Sequence, residues 1–499
     1  MALNHHLDLL KPHLDGSIAN VQSVEATNRP ADQPWHEDYA YGLGIQAYIW
    51  GFPWIYLTQL CWLWTSEGGQ KLMEASGKKA PWAPINQIFN APNLTTPATS
   101  DGGSPNCDTL YSTAWLDFSH GPLVLTVPTV TDRFYSIELA SISSDNFAYV
   151  GLVATGKYGG NYLIAPSDWS GTVPDDVLDV LARCQTPIAF MLGRTGVNNS
   201  TTEDLDAAHA VQGQYRLTPL SHWQNPDAPA VTPHAQVPIG FDFNNPDGAW
   251  ETMNRAMTAN PPGIYPAPEQ QALINLFATI GIGPNQHLGA QSNATLKGLR
   301  RAAEDGLSLL KQMSQGRGKE INQWNYPPLD LGRAGDKADY ITRSALQALS
   351  GIVANDATQA VYINTWNDET GEQLSAQSQY KLTFDTHGDG FPPIVSGFNG
   401  FWSVTLYDNT YNLVPGSIAY TVNSTDPKYQ SRDANGNLTI LLQNEQPENL
   451  GDGVYWLQTP SDTGSGETAT FFLILRVYVP APEVSGSQLW APPKIYKIG

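Results

Sequence analysis

Asp108, Tyr111 and Arg133 place a carboxylate, a phenol and a guanidinium on one short reach of chain. Together they make an acid/base and anion-binding set: the carboxylate takes a proton, the phenol returns one, and the guanidinium holds a substrate carboxylate or steadies developing negative charge. These three are the candidate catalytic residues. Asn106, Thr109, Tyr135 and Tyr149 lie in or beside the same strands, and Arg476 sits in the middle of the apolar run FFLILRVYVP. They are the candidate substrate-binding residues. A plainer reading competes. Asp108 could cap a turn through backbone N–H groups, with Arg133 as its partner and the tyrosines as sheet packing. Arg476, if it faces inward, either lines a pocket or bonds a structural carboxylate.

Other reactive groups are weaker candidates. Cys107 lies beside Asp108, whose charge disfavours a thiolate, and no His is near it in sequence. The loop FDTHGDG offers Asp385, His387 and Asp389 as metal ligands, although it reads first as a solvated turn. No nucleophile elbow, phosphate loop or dinucleotide fingerprint follows a strand.

The elements that must position these residues are legible in outline. PLVLTVP alternates, and RFYSIELAS places Phe134, Ser136 and Glu138 on one face with Arg133, Tyr135, Ile137 and Leu139 on the other. NFAYVGLVAT and GNYLIAP add two short strands. NATLKGLRRAAEDGLSLLKQMSQ is an amphipathic helix with Asn293 as its expected cap, and ADYITRSALQALSGIVAN is another. QYKLTFD, GFWSVTLYD, LTILLQ and FFLILRVYVP return to strands. The expected domains are a helical segment and loop over 1–104, a first β domain over 105–203, a helical insertion over 204–360 and a second β-sandwich over 361–499. The fold class is mainly β with helical additions (α+β): two β-sandwich domains, Ig-like or jelly-roll-like, with a helical insertion.

Composition bounds the function. Only 15% of residues are charged and the net charge is -21, so the chain lacks the positive field that nucleic acid or an anionic membrane surface requires. Three cysteines without close spacing argue against a disulfide framework and a zinc site. The first residues show no basic segment followed by an apolar run, so a cytoplasmic location is expected. The apolar stretch YGLGIQAYIWGFPWIYLTQLCWLW is read as a buried helix pair broken near Gly51–Phe52–Pro53 rather than a membrane span.

The segments PNCDTLYSTAWLDFSHGPLVLTVPTVTDRFYSIELASISSDNFAYVG, LGRTGV and GQYRLTPL resemble the N-terminal half of a widespread two-domain bacterial family of unknown function. GFWSVTLYDNTYNLV, DANGNLTILLQNEQP and FFLILRVYVPAPEV resemble its C-terminal half, in the expected order over residues 40 to 495. The resemblance implies paired β-sandwiches with a helical insertion and a homo-oligomer; it brings no reaction. Asp108, Thr109, Tyr111, Arg133 and Tyr135 match the family pattern. Cys107 stands where the family usually has a second Asn, and the export signals of many relatives are not visible here.

The leading expectation is an enzyme acting by acid/base chemistry on a small polar or anionic organic substrate, in a cleft at the first β domain, with no cofactor. The alternatives are a non-catalytic ligand-binding or oligomeric assembly protein, and a metal-dependent oxidoreductase.

Overall fold

The computed structural model describes residues 29–77, 80–100, 103–180, 182–199, 201–230, 246–262, 268–386, 390–461 and 469–499. Nine strands build the N-terminal half: β1 (Phe89–Asn90), β2 (Thr109–Asp117), β3 (Leu123–Val127), β4 (Tyr135–Ser141), β5 (Asn146–Gly151), β6 (Gly160–Ile164), β7 (Leu178–Asp179), β8 (Ile188–Gly196) and β9 (Arg216–Pro219). One sheet runs β1-β2-β8-β4-β5 and the other β7-β6-β3-β9. Between them lie Ala114, Leu116, Ile137, Leu139 and Met191 from the first sheet and Leu125, Val127, Tyr162 and Ile164 from the second. The first sandwich therefore draws its last strand, β9, from within the expected helical insertion.

Ten strands build the C-terminal half: β10 (Lys319–Ile321), β11 (Trp324–Tyr326), β12 (Ala360–Thr365), β13 (Tyr380–Phe384), β14 (Trp402–Asp408), β15 (Thr421–Asn423), β16 (Leu438–Gln443), β17 (Val454–Gln458), β18 (Phe471–Tyr478) and β19 (Ile495–Lys497). They form a six-stranded sheet, β10-β11-β12-β18-β14-β15, packed on a four-stranded one, β17-β16-β13-β19. The chain is thus a pair of two-sheet sandwiches with added helices.

Burial along the strands shows what covers each sheet. β16 alternates buried and half-buried residues, as a strand with one wet face does. β14 and β18 are buried almost throughout, as are β2, β4 and β8. Those central strands are covered on both faces, and their second faces meet between the two sandwiches.

Four helices matter to the frame: α1 (His36–Thr65), α2 (Thr202–Gln212), α3 (Pro246–Ala259) and α4 (Asn293–Met313). Helices α1, α3 and α4 form a layer that also covers Trp115 and Phe190 of the first sheet. The N-terminal segment and the insertion are thus one structure. α1 and α4 approach closely: a Cβ on Gly298 would lie 2.2 Å from the Glu37 carbonyl. The cap of α4 is Ser292, whose Oγ accepts from the Thr295 amide; Asn293 is already the first helical residue.

The expected break at Gly51–Phe52–Pro53 does not occur. α1 runs through Pro53 and is buried on all sides over Trp50–Leu60. Proline removes the N–H that would serve the Ile49 carbonyl. Ser344 Oγ donates to that carbonyl instead, and the Arg343 guanidinium donates to the next one, on Trp50. Both donors come from the π-helix Thr342–Ser350. No helix among the described residues is long and apolar enough to cross a membrane.

Candidate functional site

The candidate site is the polar seam where the outer faces of the two central sheets meet. On the C-terminal side, strand register sets Tyr362, Arg476, Ser403 and Asn423 abreast on β12, β18, β14 and β15. On the N-terminal side, Tyr111, Arg194 and Ser136 stand abreast on β2, β8 and β4, with Glu138 and Tyr149 in the next polar row. Period-two alternation produces both surfaces. The opposite faces of these strands carry the two apolar cores.

Asp108 enters the seam from the turn before β2. Asn106 fixes that turn: its Oδ1 accepts the Asp108 amide at 2.6 Å, and its Nδ2 donates to Thr109 Oγ1 at 2.5 Å. The Asp108 carboxylate then crosses to the other sandwich, accepting from Ser403 Oγ at 2.5 Å and from Asn423 Nδ2 at 3.0 Å. Burial pushes its pKa up; the Arg476 charge and these two donors hold it back.

Arg476 is buried beside it. Nη2 donates to the Ser104 carbonyl at 2.8 Å, and the guanidinium lies over the ring of Tyr407. Arg476 Nη1 has no hydrogen-bond partner, nor has the phenol of buried Tyr478, two residues along the same strand face. Burial drives the Tyr478 pKa well up, and the nearby Asp108 charge adds to the shift.

A second ion pair closes the other end. Arg194 Nη1 donates to Glu138 Oε2 at 2.6 Å and to Asn355 Oδ1 at 3.3 Å; Asn355 Nδ2 in turn donates to Tyr362 Oη at 2.5 Å. Glu138 Oε1 has no partner, and burial pushes this carboxyl up against the opposing pull of Arg194. Tyr111 lies with its ring 6.0 Å from the Arg194 guanidinium and keeps a half-buried face. Tyr149 Oη accepts from Asn146 Nδ2 and from the Asp356 amide, which ties the seam to the Arg333–Asp356 pair.

The structure thus brings Asn106, Asp108, Thr109, Tyr111, Tyr149 and Arg476 to one seam. Arg133 and Tyr135 stand apart from it. Arg133 pairs with Asp132 at 2.8 Å and Asp204 at 3.1 Å, and donates to the carbonyls of Gly196 and Asp204. It clamps the start of α2 to β8, so the expected Asp108–Arg133 partnership is replaced by Asp108 with Ser403 and Asn423. The reason is topological: β8, not β4, is the neighbour of β2. Tyr135 faces away from Ser136 and Glu138, and its Oη donates to the Gly156 carbonyl at 3.1 Å.

Sequence reasoning missed Glu138, Arg194, Tyr362, Ser403, Asn423 and Tyr478. A signal for two of them was present. Arg194 in FMLGRTG and Glu138 in SIELAS are lone charges inside apolar strands, the feature that singled out Arg476. Cys107 lies below the surface with its thiol pushed up to about 12 by burial and the Asp108 charge. Residues 387–389 of the proposed metal loop lie outside the described residues. Among the described residues, no three His, Cys, Asp or Glu side chains gather to hold a metal ion.

Two abutting sandwiches under a helical layer, with a buried ionic seam between them, define the structural class. The family follows from comparison with known proteins. Residues 85–219 match the family described as Protein of unknown function (DUF1254), and residues 359–482 match Protein of unknown function (DUF1214). The chain belongs to the two-domain family of unknown function that these domains compose. The crystal structure of the VPA0106 protein from Vibrio parahaemolyticus is similar, with a TM-score of 0.66 at 18% identity over 92% of this chain and 100% of that one. An uncharacterised protein from Burkholderia cenocepacia aligns with a TM-score of 0.40 at 12% identity over 92% of this chain and 94% of that one. No curated protein matches the chain.

Proposed function

We propose that the seam binds a small anionic organic molecule and acts on it by acid/base chemistry. One observation carries the reading: Arg476 Nη1 and Tyr478 Oη, both buried, share a strand face and have no hydrogen-bond partner. Leaving such groups unpaired costs about 1–3 kcal/mol each, more for a charge. A ligand carboxylate offers both an acceptor. Asp108 stands beside them with a pKa raised by burial, suited to exchange a proton, and Tyr111 lies near the Arg194 and Arg476 charges.

The test is a thermal-shift screen of the full chain against small carboxylic acids and their amides, followed by mass-spectrometric detection of turnover. An acid that protects the wild type but neither Arg476→Gln nor Asp108→Asn supports the reading. If no acid protects, and both variants merely melt lower, the reading fails.

A second reading is favoured by Asp108 itself, whose two oxygens are already engaged by Ser403 and Asn423. Here the seam is a non-catalytic lock between the sandwiches. It predicts the second outcome of the same screen.

A further inference from the structure

A separate cavity of about 480 Å³ lies between the helical layer and the first sandwich. Trp54, Phe147 and Pro262 form an apolar part of its wall, and three arginines line it. Two of these are matched by carboxylates: Arg183 with Asp179 at 2.5 Å and Arg333 with Asp356 at 2.6 Å. The third, Arg343, has only a long ionic contact. It is 1% exposed, and its nearest carboxylate oxygen, on Asp145, is 3.7 Å away.

Asp145 has little left to give. Its Oδ1 accepts the Gly335 amide at 2.7 Å and its Oδ2 accepts from Ser143 Oγ at 3.2 Å. Burial lifts its pKa to about 6, against the opposing pull of Arg343. The Arg343 guanidinium lies within 5.4 Å of the Trp54 ring and 4.8 Å of the Tyr340 ring, and it donates to the Trp50 carbonyl. Its Nε–H, buried, has no acceptor at all. A buried cation with an unanswered donor in a cavity wall calls for an anionic oxygen from outside the protein. At the exposed rim the sign reverses, for Asp336 presents a carboxylate there.

We infer that this cavity takes a zwitterion of the α-amino-acid type, its carboxylate inward on Arg343 and its ammonium outward on Asp336. The apolar wall beside Trp54 and Phe147 receives the side chain. A plain carboxylic acid would add no hydrogen-bond donor for Asp336, which is relieved only by the charges of Arg333, Lys337 and Arg343, and an amine would leave Arg343 Nε without an acceptor. This site shares no ligand-facing residue with the seam, and the inference does not depend on the reading given above.

The test uses the full chain and titrates free L-amino acids by calorimetry, each beside its des-amino acid and its amide. The amino acid should bind, with the two analogues at least about tenfold weaker, the scale of one lost charge-assisted contact. Asp336→Asn, a rim change that leaves the core intact, should erase the preference over the des-amino acid. Arg343→Gln should abolish binding. Because Arg343 also serves α1, the rim variant carries the test if Arg343→Gln does not fold. Arg476→Gln should bind as the wild type does. The inference is overturned if no amino acid binds the folded wild type, if des-amino acids bind equally well, or if Asp336→Asn keeps the preference. Binding lost in Arg476→Gln would overturn it too, by placing the ligand in the seam.

Discussion

Asp108 accepts a hydrogen bond from Ser403 Oγ at 2.5 Å across 295 residues of chain, which fastens the turn before β2 of one sandwich to a central strand of the other. Asp108→Ala should therefore weaken the contact between the sandwiches, stranding Ser403 and Asn423. The expected cost is about 2–4 kcal/mol in urea unfolding, from two buried groups losing their partner. Asp108→Asn retains an acceptor and should cost less than half of that. Equal losses in the two variants would show that the carboxylate charge, not its acceptor geometry, does the fastening.

Arg133 gives a contrasting prediction. It is 2% exposed and holds Asp204 and two carbonyls. Arg133→Met should destabilise the chain by about 3–5 kcal/mol, the cost of breaking a buried pair. If the thermal-shift screen finds a seam ligand, its affinity should be unchanged in that variant once the protein is folded. A selective loss of ligand would return Arg133 to the site.

The proline in α1 can be tested by a double-mutant cycle. Ser344→Ala leaves the Ile49 carbonyl unanswered and should cost about 1–3 kcal/mol. In a Pro53→Ala background the helix supplies its own N–H to that carbonyl, so the same change should cost clearly less. Additive effects would mean that Ser344 matters for a reason other than the proline.

Stability should fall with rising pH through Asp145. Its pKa goes from 3.8 to about 6 on folding because burial disfavours the charge. The folded state holds the proton more tightly. The contribution is thus fully present below about pH 4 and lost as the pH rises through about 6, on the order of 3 kcal/mol in all. Asp145→Asn should remove that part of the slope between about pH 4 and about pH 7 in chemical denaturation. An unchanged slope would mean that Arg343 keeps this carboxylate charged.

The cysteines should be silent in the native state. Cys61, Cys107 and Cys184 are free and buried, with thiols raised to about 12, about 12 and about 11. A thiol reagent at neutral pH should label none of them until denaturant is added, then all three. Rapid native labelling of Cys107 would reopen a nucleophilic role.

How far the sequence could be read follows from what each signal depends on. Alternation is local, so the strand faces of RFYSIELAS were legible, and with them Ser136 and Glu138 opposite Tyr135. Strand order is not local. Nothing near Asp108 announces that β8 intervenes between β2 and β4, or that Ser403 waits on the other sandwich. Pro53 misled for the same reason: its helix continues because Ser344, 295 residues away from Ile49, supplies the missing donor. Strands β9, β10 and β11 are too short to impose a pattern of their own, so they vanished into the expected helical insertion.

Arg476 reaches the Ser104 carbonyl across 372 residues. During synthesis the first wall of the seam exists long before the second has left the ribosome, since domains fold as units in order of emergence. Until then the Glu138–Arg194 pair lacks the Asn355 and Tyr362 contacts that complete it. The seam is therefore also a clock: its closure marks the arrival of β18, and a truncation before β18 leaves the Ser104 carbonyl and Asp108 without Arg476.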